Sequence, residues 1–203
     1  MSEHGGLRER SKARRRAAIT QAAVRLFAER GYDATTIADI AAEAEVAPRT
    51  VATYFASKQD IAMARFSDLV NSLTSALCER APTESVTDVI GRWLRTEGHC
   101  TNQESNDLGR RMFAANPELN ALRHARMAEP IAMGAELIAR ETGAAPGDPG
   151  PRLAALAAAS IIVELSEIPP GPKKDAAVAE AMRFLNAGIA ALRLSSAVPL
   201  ETS

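Results

Sequence analysis

The chain has 203 residues, a formal net charge of −1, 46% hydrophobic residues, 24% charged residues and 4% aromatic residues. This composition is typical of an ordinary globular protein with one large domain or two small ones, and it excludes a polycation. Cys78 and Cys100 exclude a disulfide framework or a zinc site by their spacing, which favours reduced thiols in a cytoplasmic protein. No apolar run reaches the roughly 18 residues of a membrane span, and the charged segment Met1–Arg16 is not expected to be a secretory signal.

Positive charge is concentrated at the start of the chain, where residues 1–30 carry eight Arg or Lys against three Glu. We expect residues 1–11 to form a flexible basic arm. The basic side chains of the arm and the first helix suit the neutralisation of phosphates, although a solvated, frayed terminus explains them equally well. They are Arg8, Arg10, Lys12, Arg14, Arg15 and Arg16.

The next segment, residues 12–60, has helical periodicity. A helix of about twenty residues carries an apolar stripe and ends at Gly31, a natural C-cap. Thr36 and Asp39 resemble a capping box, which predicts a short helix at about 37–43. Pro48 suits the first turn of a second short helix, at about 48–55. Two short helices separated by four residues are the outline of a helix-turn-helix.

Longer and more apolar helices are predicted beyond this segment. Ser57 and Asp60 start a long helix that ends before Pro82, and Ser85 caps the next one. The polar stretch 98–105 should interrupt the helices. A helix from about 117 to 141 should kink at Pro130, and the loop 143–151 is dense in helix breakers.

Two helices, at about 152–167 and 174–194, close the chain. Both carry small and apolar residues on more than one side, so the second side must be buried. Burial against a second copy of the chain is the usual solution, and a larger intramolecular core is the alternative.

Many positions at fixed spacing resemble the DNA-binding domain of the TetR family of bacterial transcriptional regulators. The similar positions are Arg16-Ala-Ala-Ile19, Ala22-Ala23, Leu26–Tyr32, Thr35–Ile37, Ile40-Ala41, Ala44–Val46, Thr50 and Tyr54–Lys58. Two further segments, residues 46–50 and 110–119, are more weakly similar to an actinobacterial, mycofactocin-regulator-like subgroup.

The resemblance implies an all-α homodimer. Residues 12–60 would be the DNA-binding domain, with its helix-turn-helix at about 37–55. Residues 61–203 would bind a small-molecule effector and form the dimer through the last two helices. Effector binding would release a palindromic operator.

Two positions depart from the family pattern. Glu45 stands where the family usually has a glycine in the turn, so a positive φ there would cost about 1 kcal/mol or more. Ala52 replaces a tyrosine that commonly touches a phosphate.

The expected DNA contacts follow from the start of the second short helix, whose residues reach base edges in the major groove. Arg49 suits a guanine edge, although a surface arginine that pairs with Glu45 or a phosphate is the alternative. Thr50 and Thr53 suit a thymine methyl group or a phosphate, and Thr36 suits a phosphate or a plain N-cap. By resemblance, Tyr54 and Lys58 grip phosphates. The full expected set is Thr36, Pro48, Arg49, Thr50, Thr53, Tyr54, Lys58, Arg14 and Arg16.

The effector pocket is less well determined, because each candidate also suits a plain core. The candidates are Phe66, Leu69, Leu73, Trp93, Met112, Phe113, Met127, Ile131 and Glu164, with Glu97, His99 and Arg111 as further polar groups. Glu164 suits either a pocket or the dimer contact. The low aromatic content favours an apolar or acyl-type effector.

An enzyme is not expected, since no phosphate loop, metal-ligand spacing or nucleophile elbow is present. His99 beside Cys100 suggests a thiol nucleophile, but sequence neighbours do not face each other on a helix. No cofactor, metal or membrane is expected. The alternative function is a helical interaction protein that does not bind DNA.

Overall fold

The computed structural model describes residues 3–100, 103–166, 168–169 and 171–196, with side chains described at all of these except 3–7, 97–100, 103–105 and 194–196. Within this part of the chain the secondary structure is helical and no strand occurs. The helices are α1 (Glu3–Arg30), α2 (Ile37–Glu43), α3 (Pro48–Tyr54), α4 (Lys58–Cys78), α5 (Val86–Cys100), α6 (Gln103–Ala115), α7 (Pro117–Arg126), α8 (Ala128–Thr142), α9 (Gly150–Ser166) and α10 (Pro172–Ser196). The expected all-α fold is confirmed.

The described chain forms two compact units. Of the described residues, the N-terminal unit holds those up to Leu69 together with Gln103–Arg123, and the C-terminal unit holds those from Val70 to Cys100 together with those from His124 onward. The sequence led us to expect a single boundary at residue 60. The division differs because α6 and the start of α7 pack with the N-terminal helices, a long-range contact that local periodicity does not reveal.

The core of the N-terminal unit forms around one stripe of α1. Side chains from α2, α3, α4, α6 and α7 pack against this stripe, and each is at most 9% exposed. The stripe consists of Ile19, Ala22, Ala23, Leu26 and Phe27, as the spacing of three and four residues predicts. Burial of apolar surface at these positions holds the short helices α2 and α3, which are too short to be stable alone.

The C-terminal unit is built on α8, α9 and α10, with α5 beside them. Inner stripes of α9 and α10 are buried, and α8 approaches α9 closely where Gly134 faces Ala155. The side chain of Glu141 accepts the N–H of Val86 at 2.9 Å and a hydrogen bond from Arg193 at 2.7 Å. Glu141 therefore ties the ends of α8 and α10 to the start of α5.

Three helix boundaries differ from the sequence-based expectation. The flexible arm expected at 1–11 is wrong for residues 3–11, which are helical, because a polar segment carries no apolar stripe from which a helix could be predicted. The polar stretch 98–105 is helical at 98–100, where α5 ends, and at 103–105, where α6 begins, and residues 101–102 between them lie outside the described residues. The expected helix at 117–141 is two helices, because Pro130 lacks the N–H that would bond to Arg126 and its ring crowds that carbonyl.

Candidate nucleic-acid interface

The helix-turn-helix occupies α2, the turn at residues 44–47 and α3. Thr36 caps α2, since its hydroxyl oxygen accepts the N–H of Asp39 at 3.1 Å while the Asp39 carboxylate accepts the N–H of Thr36 at 2.8 Å. The predicted capping box is therefore confirmed. The Thr36 hydroxyl also donates to the Asp39 carboxylate, at 2.6 Å. These hydrogen bonds hold the pKa of Asp39 below its ordinary value.

The turn between α2 and α3 contains a strained residue. Glu45 has a φ of +53°, the left-handed region, and it is the one non-glycine residue of the described chain with a positive φ. The turn is closed by hydrogen bonds from the N–H of Glu45 to the carbonyl of Ala42 and from the N–H of Val46 to the carbonyl of Ala41. The strain expected from the absence of glycine at this position is present.

One face of α3 anchors the helix and the other is available to a partner. Val51 is 1% exposed and packs in the core, whereas Pro48, Arg49 and Thr53 are exposed. The Thr53 hydroxyl donates to the carbonyl of Arg49 at 3.0 Å, so its hydroxyl proton is already used within the helix.

Thr50 and Tyr54 are half-buried at the border between the two faces of α3. The face that carries Arg49 is exposed on a seven-residue helix that Val51 anchors in the core, an arrangement that suits a helix entering the major groove.

Lys58 lies at the first residue of α4 and contacts the loop between α1 and α2. Its ammonium donates to the carbonyls of Tyr32 at 2.8 Å and Thr35 at 3.1 Å. It also lies 4.1 Å from the centre of the Tyr32 ring. Two of its three N–H donors are thus bonded inside the unit, where we had expected a phosphate.

Burial raises the pKa of Tyr32, and the nearby carboxylates of Asp33, Glu118 and Asp60 raise it further.

Arg14 and Arg16 differ in their surroundings. Arg16 makes a two-pronged ion pair with Asp68 of α4, at 2.6 and 3.0 Å, and its guanidinium lies 5.4 Å from the centre of the Phe55 ring. Arg14 is exposed on α1, as are Arg8, Arg10, Lys12 and Arg15. The exposed basic residues form the cationic segment of α1, which is the strongest concentration of positive charge in the sequence.

Asn116, between α6 and α7, is a residue that sequence reasoning missed. It is 3% exposed, and its side-chain oxygen accepts the N–H of Tyr32 at 2.7 Å. Its side-chain nitrogen donates to the carbonyls of Phe27 at 3.2 Å and Met112 at 2.6 Å. An Asn-Pro pair before a helix signals a cap, but no local pattern indicates a partner 84 residues away.

The expected effector-site residues do not gather in one unit. Met112 lies in the core of the N-terminal unit and Phe113 packs against that core, so both belong to the scaffold of the helix-turn-helix. Phe66 is buried and Leu69 is half-buried in the same unit. Both residues take the core role that was the alternative from sequence, and their part in an effector pocket stays a prediction.

The remaining candidates lie in the C-terminal unit. Trp93 is 4% exposed and its indole N–H donates to the Ser72 hydroxyl at 3.0 Å. Leu73, Met127 and Ile131 are half-buried, and Glu164 is exposed on α9. Arg111 is exposed, while the side chains of Glu97, His99 and Cys100 lie outside the described residues. No helix in the described part of the chain is long and apolar enough to cross a membrane.

The fold and this surface define an all-helical helix-turn-helix protein. Residues 19–64 match the family model described as bacterial regulatory proteins of the tetR family. The chain is 38% identical over 80 residues to the HTH-type transcriptional regulator TcmR of Streptomyces glaucescens, a match that covers 39% of this chain and 35% of that protein. It is 43% identical over 82 residues to the HTH-type transcriptional repressor Rv3405c of Mycobacterium tuberculosis, which covers 40% and 42%.

These two relatives are matched over less than half of their own length. Over the whole fold, a tetR-family regulatory protein from Rhodococcus RHA1 superposes with a TM-score of 0.52 at 23% identity, covering 88% of this chain and 96% of that one. The similarity to the tetR family of bacterial regulatory proteins therefore lies in residues 19–64, and the likeness over the rest of the chain is one of fold.

Proposed function

We propose that the protein is a transcriptional regulator that binds a palindromic DNA operator as a dimer. The observation that carries this proposal is α3, whose Val51 anchors the helix while Arg49 faces outward at its first turn. The N-terminal residues of such a helix contact base edges in the major groove. The cationic segment of α1 supplies charge for the phosphate backbone.

Each DNA contact follows from the surroundings of its side chain. Arg49 carries a planar fork that matches the O6 and N7 atoms of guanine. Thr53 uses its hydroxyl inside α3, which favours contact of its methyl group with thymine, and Thr50 lies beside it. Pro48 and Tyr54 flank this reading surface, and Arg14 contacts a phosphate. Three further residues were expected to contact phosphates: Thr36, Lys58 and Arg16. We propose that they contribute indirectly, because their side chains make the internal hydrogen bonds that position α2 and α4.

We further propose repression that is relieved by a small, apolar or acyl-type effector bound in the C-terminal unit of a cytoplasmic dimer. The Mycobacterium tuberculosis relative is named a repressor. We also propose that the protein is related to the mycofactocin-regulator-like subgroup. Effector and operator must weaken each other's binding by the same factor, with a coupling of about 1–3 kcal/mol.

Trp93 is the single tryptophan of the chain, so its fluorescence reports on the C-terminal unit.

The test is a selection of random DNA duplexes by the full-length protein, followed by binding measurements on the enriched sequence and a scrambled duplex. We expect a palindromic sequence to be enriched and bound at least a hundredfold more tightly than the scrambled one. Equal binding of both duplexes, or no binding, would favour the helical interaction protein. The matched control is Arg152→Ala, which removes an exposed arginine from α9 in the other unit.

A further inference from the structure

The loop from Gly31 to Thr35 sets where the helix-turn-helix begins, because Thr36 caps α2 directly after it. Gly31 takes a φ of +87° and its N–H donates to the carbonyl of Phe27, which ends α1. The Thr35 hydroxyl donates to the carbonyl of Gly31 at 2.8 Å. The path of this short loop therefore determines the direction of α2 relative to α1.

Two side chains from distant parts of the sequence fix this loop. Lys58 of α4 bonds to the carbonyls of Tyr32 and Thr35. Asn116 accepts the N–H of Tyr32 and donates to the carbonyl of Phe27, so a single amide group bonds on both sides of Gly31. The side-chain amide of Asn116 is buried, and both its oxygen and its nitrogen make hydrogen bonds. Such a group fixes the positions of its partners, because a shift would leave a buried polar group without a hydrogen bond.

Asn116 is also tied to α6 and α7. Its side-chain nitrogen donates to the carbonyl of Met112, and its backbone carbonyl accepts the N–H of Leu119 at 3.0 Å. Met112 and Leu119 both lie in the N-terminal core. The junction of α6 and α7 and the loop before α2 therefore share one hydrogen-bonded centre.

We propose that Asn116 is a positioning residue for operator recognition: it sets the orientation of the helix-turn-helix through the backbone of Tyr32 and Phe27, without touching DNA. This proposal rests on the proposed DNA-binding function. The proposal predicts different effects on operator DNA and on scrambled DNA. Base readout requires α3 at a defined angle, whereas phosphate attraction tolerates a change of angle. Loss of the Asn116 contacts should therefore weaken the selected operator and spare scrambled DNA.

The test variant is Asn116→Asp, which keeps the shape but replaces two donated hydrogen bonds with repulsion between oxygens. Asn120→Asp is the matched control, because Asn120 also donates to a backbone carbonyl of α6, that of Phe113, at 2.8 Å. The affinities of wild type and both variants are measured on the selected operator and on a scrambled duplex. The folded fraction is taken from urea unfolding of the same samples.

We expect Asn116→Asp to lose at least tenfold in operator affinity and less than twofold on scrambled DNA, with Asn120→Asp near wild type on both. A merely structural Asn116 would lower both affinities by the same factor, in proportion to the folded fraction, and that result would overturn the proposal. Wild-type protein that does not distinguish the operator from scrambled DNA would instead overturn the proposed function.

If Asn116→Asp does not fold, amide hydrogen exchange of the wild-type protein tests the positioning role of Asn116. Because the operator-bound state requires the loop in its bonded geometry, operator should slow exchange at the Tyr32 amide at least fivefold, and scrambled DNA should not. Unchanged exchange at Tyr32, while amides of α3 become protected, would contradict the positioning role.

Discussion

Glu45 stores backbone strain in the turn of the helix-turn-helix, since its φ is +53°. Glycine adopts this conformation without the clash of a Cβ atom, although it loses more entropy on folding. We expect Glu45→Gly to raise the free energy of unfolding by about 0.5–1 kcal/mol. Urea unfolding checks this, with Ala44→Gly as the control. Ala44 has an ordinary φ of −84°, so glycine there should give no gain.

Lys58 stabilises the loop before α2 through two hydrogen bonds from a charged donor and a contact with the Tyr32 ring. Lys58→Met keeps the aliphatic stem and removes the donors. It should lower the free energy of unfolding by about 1–3 kcal/mol. Lys12→Met, on the exposed part of α1, is the control and should leave the unfolding midpoint unchanged. An unchanged midpoint for Lys58→Met would show that its internal hydrogen bonds contribute nothing.

Arg49 and Arg14 should differ in what they do on DNA. Arg49→Ala should cost about 1–3 kcal/mol per half-site on the operator and relax preference at one base pair. Arg14→Ala should weaken operator and scrambled DNA alike and reduce the salt slope by about one unit per lost phosphate contact. Binding across a salt series on both duplexes checks this. If Arg49→Ala weakens both duplexes equally, Arg49 is a phosphate contact.

At the scale of the element, α2 depends on its capping box. The pKa of Asp39 is lowered in the folded protein by the hydrogen bonds from Thr36, so folding favours the carboxylate. This stabilisation is fully present above the unfolded pKa of about 3.9 and is lost as the pH falls through the lower folded value. Wild type should therefore be more stable than Asp39→Asn at neutral pH, and the difference should shrink below about pH 4. If the difference in the free energy of unfolding between wild type and Asp39→Asn does not change with pH, the Asp39 carboxylate is not its source.

The elements that sequence predicted correctly are those whose signals are local. The stripe from Ile19 to Phe27, the cap at Thr36 and Pro48 at the start of α3 lie within a few residues of the structure they specify. The positive φ of Glu45 was indicated by the family resemblance, because the family usually has a glycine at this turn position. The partners of Asn116 and Lys58 were not predictable, since periodicity gives the face on which a side chain lies and not the distant backbone group that it bonds.

At the scale of the whole molecule, the segment 103–123 belongs with the helix-turn-helix although the chain passes through α5 first. Leu108, Met112 and Leu119 fill the same core as α1. A fragment that ends within α4 would therefore expose this apolar surface and lose the contacts of Asn116. The proposed DNA-binding unit is discontinuous in sequence.

The last two helices provide the surface for the proposed dimer. The exposed large hydrophobic residues of the described chain all lie on α9 and α10: Leu153 at 62%, Leu156 at 39% and Phe184 at 66% exposure. Ala158 and Ile189 carry the small and apolar pattern that suggested a dimer from sequence, yet they are 7% and 5% exposed within one chain. They are therefore part of the intramolecular core, and charged substitutions there would report on folding and not on assembly.

We expect light scattering to give about twice the 21.6 kDa mass of the chain, and Phe184→Asp to give a folded monomer. A charge at Phe184 opposes burial of an apolar face between two copies, but it leaves the inner stripe of α10 intact. Ala132→Asp, at an exposed alanine of α8, controls for added charge and should remain a dimer. Ala158→Asp should instead unfold the C-terminal unit, because its carboxylate would be buried. A wild-type monomer at micromolar concentration, or a dimer that survives Phe184→Asp unchanged, would contradict assembly through α9 and α10.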